Sequence, residues 1–388
     1  MNSQLELSRA FGGAFAGKRV LVTGHTGFKG AWLCEWLCAL GADVTGLALP
    51  PPTEPALFNQ LGLAGRIRDR RGDVRDLATV RGAVEAARPE FVFHLAAQSL
   101  VRRSYAEPVE TYATNIMGTV HLLEAVRLAG IACSVVVVTT DKCYENTERA
   151  HAYREDEPMG GHDPYSSSKG ATELVVSAYR RSYFSAPDSL VRVASARAGN
   201  VIGGGDWALD RIVPDCIRSL QRGEAIPVRN RHATRPWQHV LEPLSGYLWL
   251  TARLATAVQG TSSSSAGSGA GTGNVNLCSA FNFGPTPAAT RPVAALVEEV
   301  LRHWPGQWED RTDPRAPHEA TLLSLAIDKA EQELGWKPVW AFAPTIGHTI
   351  DWYRAVHQRA DAAAALTRQQ ITTYEADARA VKLSWAHG

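Results

Sequence analysis

A doubly wound α/β fold, with a parallel sheet covered by helices on both faces and a smaller mixed α/β lobe, is what this sequence predicts. Three observations lead there. Short apolar runs alternate with amphipathic stretches through the first half of the chain. The runs are continuous and rich in β-branched residues, the texture of strands buried on both faces. One of them opens into a glycine-rich turn at the start of a helix.

In chain order, residues 18–23 (KRVLVT), 43–47 (DVTGL), 91–95 (FVFHL), 134–140 (SVVVVTT) and 190–197 (LVRVASAR) read as strands. Between them, 29–40, 77–87, 109–129 and 165–185 read as helices. After Asn200 glycine and proline become frequent and the strands shorten, which marks the second lobe. The expected division is 13–197 for the sheet domain, with segments near 234–256 and 280–284 returning to it, and 198–233 plus 285–388 for the smaller lobe. Residues 258–275 form a Ser/Gly-rich insertion that cannot bury apolar surface and reads as a flexible loop. The first dozen residues and those after Asp361 carry weak signals.

Composition narrows the function. Forty Lys and Arg against 39 Asp and Glu leave a net charge of +1, without the global basic field of a nucleic-acid binder. The N-terminal residues lack a signal-peptide core. Glu35 and Arg253 interrupt the apolar stretches, so none suits a membrane span. Six scattered cysteines read as reduced thiols, and the expectation is a soluble cytoplasmic protein. No metal site is expected: Cys34 and Cys38 sit among core residues, Cys143 has no histidine partner, and His318-Glu319 lacks the second histidine of a zinc helix.

Residues 19–33 (RVLVTGHTGFKGAWL) run from a strand through Gly24, Gly27 and Gly30 into a helix. Such glycines allow a tight turn, close approach to a pyrophosphate and close helix packing, while the helix N-terminus supplies free N–H groups. Gly24, His25, Gly27, Phe28, Lys29 and Gly30 are therefore candidate dinucleotide contacts. The G-x-x-G-x-x-G spacing resembles the extended short-chain dehydrogenase/reductase family, a Rossmann-like fold. That resemblance implies an adenine contact at Asp73 (in GDVR) and a segment under the cofactor at Leu95, Ala96, Ala97 and Gln98. After the second strand, where a ribose-binding acid is expected, stand Ala48, Leu49 and a run of prolines, so NAD rather than NADP rests on the resemblance. His25 either stands in for that acid or is simply packed.

Residues 163–169 (DPYSSSK) place a cap at Asp163, proline at the first helical position, and Tyr165 and Lys169 four apart on one face. A lysine ammonium beside the phenol, with a positive nicotinamide ring, lowers the tyrosine pKa toward use as a general base. At the carboxyl end of the strand 134–140 stand Thr140, Asp141 and Lys142. A regular strand sends neighbouring side chains to opposite faces, so the chain must bend there if Asp141 and Lys142 are both to reach a ligand. Alone they read as a surface pair; beside Tyr165 and Lys169 they read as catalytic.

Together GHTGFKGAWL, TTDKCYEN, YSSSK, RAGNVIGGGDWALDRIVPD and RPWQHVLEPL resemble the CDP-glucose 4,6-dehydratases, a sugar-nucleotide branch of the extended family. The likeness covers roughly residues 13 to 340, outside the insertion. It implies NAD as cofactor and CDP-glucose as substrate. In the roles it implies, Thr140 bonds the sugar O4, Tyr165 is the base at O4, and Asp141 is the acid at the C6 hydroxyl. Lys142, or a water it activates, removes the C5 proton, and Asn115 holds the active-site geometry. Asn200, Val201, Arg211, Arg235 and His318 are its substrate-binding candidates, Arg235 for the diphosphate. The dTDP-sugar dehydratases carry Asp-Glu at the Asp141-Lys142 position. The resemblance implies that helices 109–129 and 165–185 pair in a homodimer, or in a dimer of dimers. Rival readings are a sugar-nucleotide 4-epimerase, which needs no Asp-Lys pair, and a non-catalytic NAD-binding sensor.

Overall fold

The computed structural model describes residues 9–148, 151–186, 188–256, 276–312 and 322–387. His318 and the 258–275 insertion lie outside them. Seven parallel strands form the central sheet: β1 (Arg19–Thr23), β2 (Asp43–Ala48), β3 (Arg68–Arg71), β4 (Phe91–His94), β5 (Cys133–Val138), β6 (Val191–Arg197) and β7 (Ala280–Asn282). Their order is β7-β6-β5-β4-β1-β2-β3, so the winding reverses between β1 and β4. The predicted doubly wound fold is the one observed.

Strand alternation explains why both faces are apolar. Val20, Val22, Phe91, Phe93, Val136 and Val138 point into one core, while Leu21, Val92, Val135 and Val137 point into the other. The helices α1 (Phe28–Ala39), α2 (Leu77–Ala87), α3 (Gly118–Ala129), α4 (Pro164–Ser182), α5 (Ile212–Arg222), α6 (Leu241–Thr256), α7 (Val293–His303), α8 (Phe342–Gln358) and α9 (Ala363–Ala380) cover the sheet and build the smaller lobe.

Two expectations need correction, and two features lie outside them. β3 reads RDRR and carries no apolar signal; it is an edge strand whose Arg68 pairs with Asp43 of β2 at 2.5 Å. The strand expected to reach Thr140 ends at Val138, and Asp141–Cys143 forms a 3-10 turn. The helix expected over 109–129 is interrupted by a π-helical turn at Ala113–Met117. The C-terminal segment packs against the N-terminal one: Trp385 stacks on Phe11 at 5.0 Å, and Glu375 accepts from Trp36 Nε1 of α1 at 2.7 Å. Among the described residues no helix is long and apolar enough to cross a membrane.

Glu242 of α6 is fully buried and ties α6 to the later chain, accepting from the backbone N–H of Val339 and Trp340 and from the Tyr374 hydroxyl. Burial outweighs those bonds and lifts its carboxyl to about 7; burial does the same to Glu375. Both bind their proton more tightly folded than unfolded. Their stabilising contribution is complete below the ordinary carboxylate range and is lost as pH rises through about 7. Melting temperature should therefore fall across that window, and Glu242→Gln should flatten the fall, as read by calorimetry in a pH series.

Candidate active site

The reversal between β1 and β4 leaves a crevice at the carboxyl ends of the strands. It holds a cavity of about 1170 Å³, lined by the glycine turn, the segment after β4, the turn after β5, the start of α4 and the loop after β6. Gly24 sits at φ +77°, and a Cβ there would meet the Ala96 backbone nitrogen at 2.7 Å; a Cβ on Gly30 would strike the Gly24 carbonyl. The cradle therefore admits only glycine at these two places. It fits a pyrophosphate at the start of α1, whose backbone begins at the extended Gly27.

Gly24, Gly27, Phe28, Lys29, Gly30, Asp73, Leu95, Ala96, Ala97 and Gln98 all line the cavity. The ring of His25 does not. It is buried beneath Gly46 and edge-on to Phe58, with Nε2 2.8 Å from Asp69 Oδ1, so its side chain serves packing rather than a ribose. Asp73 is held by Arg75, which keeps its carboxyl below the usual range. Lys29 donates to the Tyr247 hydroxyl at 3.1 Å. Burial, with Arg211 and Lys169 nearby, takes its ammonium down to about 7.

Tyr165, Lys169, Thr140, Asp141 and Lys142 line the same cavity. Asp163 caps α4 by accepting from Ser166 N at 3.0 Å. The 3-10 turn provides the bend that Asp141 and Lys142 require. Asp141 is fully buried; its Oδ1 accepts from Thr140 Oγ1 at 2.9 Å and its Oδ2 from Asn200 Nδ2 at 3.0 Å. Lys142 Nζ lies 4.0 Å from Asp141 Oδ1 and is partly exposed. Burial lifts the Tyr165 phenol to about 12, against a hydrogen bond with Thr140 and the charge of Arg211. Lys169 Nζ donates to the Val138 carbonyl at 3.2 Å, and burial brings the ammonium down to about 8.

Asn115 stands behind the cavity. Its side chain donates to Gln98 O at 3.0 Å and Ser168 Oγ at 2.8 Å and accepts from Gln98 N at 2.9 Å. It thus pins the segment after β4 to α4. Asn200, Val201, Arg211 and Arg235 line the cavity, and Arg211 pairs with Asp206 at 2.8 Å and donates to Ser99 at 3.1 Å.

Sequence reasoning missed Gly199, whose absent side chain is what lets Asp141 lie there: a Cβ would collide with the Asp141 carboxylate. It also missed Arg102, Asp210 and Arg229 on the cavity wall, where Arg229 pairs with Asp210 at 2.5 Å. The Gly199-Asn200 pair was the local signal in the sequence, and Asn200 indeed takes a left-handed φ of 52°.

A doubly wound sheet with a glycine cradle at its switch point and a Tyr-x-x-x-Lys helix beside it defines an extended short-chain dehydrogenase/reductase. Within that class, the chain belongs to the GDP-mannose 4,6-dehydratase family, whose sequence model matches residues 21–349. It is 47% identical over 343 residues to a CDP-glucose 4,6-dehydratase of Salmonella typhimurium strain LT2, covering 87% of this chain and 91% of the relative. Its structure resembles DesIV, the dTDP-glucose 4,6-dehydratase of Streptomyces venezuelae solved with NAD and TYD bound, at TM-score 0.72 and 25% identity, over 87% of this chain and 97% of the other. It also resembles the UDP-glucose 4-epimerase of Thermus thermophilus in complex with NAD, at TM-score 0.69 and 25% identity, over 87% and 99%.

Gly199→Ala should displace the Asp141 carboxylate and lower kcat about 100-fold, the usual effect of misplacing a reacting group by about 1 Å. Affinity for NAD, measured by quenching of tryptophan fluorescence, should stay unchanged.

Proposed function

We propose that the protein is an NAD-dependent lyase that converts CDP-glucose to CDP-4-keto-6-deoxyglucose and water. The observation that carries this reading is the Asp141-Lys142 turn, which opens into the same cavity as Thr140 and Tyr165. Oxidation at C4 needs only Thr140, Tyr165 and Lys169; elimination of water also needs an acid for the leaving hydroxyl and a base for the C5 proton. The Salmonella relative's name supports the CDP-sugar substrate.

The glycine cradle, Asp73, Leu95–Gln98, Tyr165 and Lys169 would hold NAD, which when bound accepts the sugar's C4 hydride and returns it to C6. Tyr165 takes the O4 proton while Thr140 orients that oxygen. The resulting C4 ketone acidifies the C5–H bond, and Lys142, or a water it holds, removes that proton. Asp141 protonates the C6 hydroxyl, which leaves as water. The O4 proton taken up by Tyr165 passes by way of Thr140 to Asp141 and replaces the one given to the leaving water, and C5 regains its proton, so the net change is loss of one water. Arg235, buried at the cavity wall with its Nη1 on Thr234 O, faces the substrate diphosphate, and Asn200 and Val201 line the sugar pocket. His318 is carried forward as a substrate contact on the resemblance alone.

CDP-glucose deuterated at C4, with NAD, tests this by mass spectrometry. The expected product has lost one water and carries deuterium at C6. Unchanged mass with inversion at C4 would make the protein an epimerase, and silence with CDP-, dTDP- and GDP-sugars alike would leave a sensor.

The enzyme is taken to be a cytoplasmic homodimer. All six cysteines are free. Val109 is 80% exposed and Leu174 61% exposed, with Tyr112, Met117 and Tyr183 also uncovered, so the segments flanking Asn115 and Lys169 present an apolar outer face. Light scattering should give twice the chain mass, and Val109→Glu with Leu174→Glu should reduce it to the monomer.

A further inference from the structure

One buried ion pair lies directly behind the catalytic groups without touching the cavity. Glu173 follows Lys169 by four residues on α4, on the same helical face, and is buried together with Arg197 of β6. Its Oε1 accepts from Thr139 Oγ1 at 2.5 Å; its Oε2 accepts from Ser195 Oγ at 2.7 Å and from Arg197 Nη2 at 3.0 Å. Arg197 continues the chain of contacts. It donates to the Tyr144 hydroxyl at 2.7 Å, and that hydroxyl donates to Asn282 Oδ1 at 2.7 Å. Asn282 in turn bonds the Tyr153 and Ala326 carbonyls. Both residues on either side of the catalytic turn, Thr139 and Tyr144, are thereby fixed by one carboxylate and its partner.

We propose that Glu173 is a positioning residue for the reaction: with Arg197 it anchors both ends of the Thr140–Asp141–Lys142 turn, and it keeps Lys169 cationic. The inference rests on reading the site as a dehydratase.

The surroundings of Lys169 make Glu173 the decisive charge. From its own helix it faces Glu173; from the end of β5, the Val138 carbonyl; from the turn after β5, Cys143; from α1, Lys29; from β4, His94. Burial holds His94 down to about 3, so it is neutral, and burial raises the Cys143 thiol, so it is neutral too. Lys29 can only oppose the ammonium. Glu173, whose own carboxyl is held below the usual range by Arg197 despite its burial, is the anion acting on it.

The test measures the charge of Lys169 directly, by competitive labelling with a trace acylating reagent and peptide mass spectrometry over a pH series. It is run beside pH profiles of kcat/KM for CDP-glucose. In the wild type the labelling midpoint is expected near the Lys169 value of about 8. Glu173→Gln should lower it by roughly one to two pH units and bring the basic limb of kcat/KM down with it. The double variant Glu173→Gln, Arg197→Met removes both charges, leaves none uncompensated in the core, and keeps the test decisive where the single variant is too unstable. Its midpoint should be low as well. Glu173→Asp should restore the midpoint, and Thr139→Val should lower kcat with the midpoint unmoved. An unshifted midpoint in the folded double variant, or a shifted one in Thr139→Val, would overturn the proposal. Labelling needs no turnover, so it decides on Glu173 even if CDP-glucose proves not to be the substrate.

Discussion

A close backbone approach at the end of β1 governs the rest of the site. β1 ends between Leu47 of β2 and the Leu95–Ala96 peptide after β4, and Gly24 bonds Leu47 O through its N–H at 2.9 Å while lying against Ala96. No side chain fits at Gly24 or Gly30, so α1 starts hard against the sheet with its N-terminus aimed into the crevice. Because the winding reverses at this point, the same crevice receives the ends of β4, β5 and β6. Cradle, tyrosine helix and Asp-Lys turn therefore meet although they lie far apart in the sequence.

What keeps those parts in register is polar and buried. Asn115 joins the segment after β4 to α4 through three hydrogen bonds, and the Glu173-Arg197 pair joins α4 to β5, β6 and β7. A buried ion pair adds little stability over apolar packing, since desolvation offsets most of its attraction. Its geometry is specific, however: Glu173 has three donors at fixed distances, and moving any one of them would leave a charge unsatisfied. The apolar cores on the two sheet faces set the fold, and these polar contacts set the site.

The legible parts of the sequence were those where chemistry imposes local spacing. The glycine turn, Tyr165 with Lys169, and Thr140-Asp141-Lys142 each lie within a few residues of chain. β3 was not legible, because an edge strand of RDRR offers charge where a pattern reader looks for apolar alternation. His25 was ambiguous for another reason: its fate depends on Gly46 of the next strand leaving room for the ring and on Asp69 of β3 meeting it. Glu173 stood in view beside Lys169, but Arg197, 24 residues on, gives it meaning only after β6 is placed beside β5. The C-terminal aromatics likewise acquire their role from Phe11 and Trp36, at the opposite end of the chain.

The electrostatics of the cavity point the same way as its geometry. Lys29, Lys169 and Arg211 converge on the space beside the buried Asp141, and burial already takes the two lysines down to about 7 and about 8. Arg102, Arg103, Arg229 and Arg235 add further positive charge along the wall, partly balanced by Asp206 and Asp210. Cations gathered at low dielectric repel one another, and an anionic ligand relieves that repulsion more effectively than it would at a neutral surface. On the proposed reading, a cofactor pyrophosphate at the glycine cradle and a substrate diphosphate beside Arg235 would supply that countercharge. Between them lies the space flanked by Thr140, Asp141 and Tyr165, where a sugar held by its diphosphate would present C4, C5 and C6.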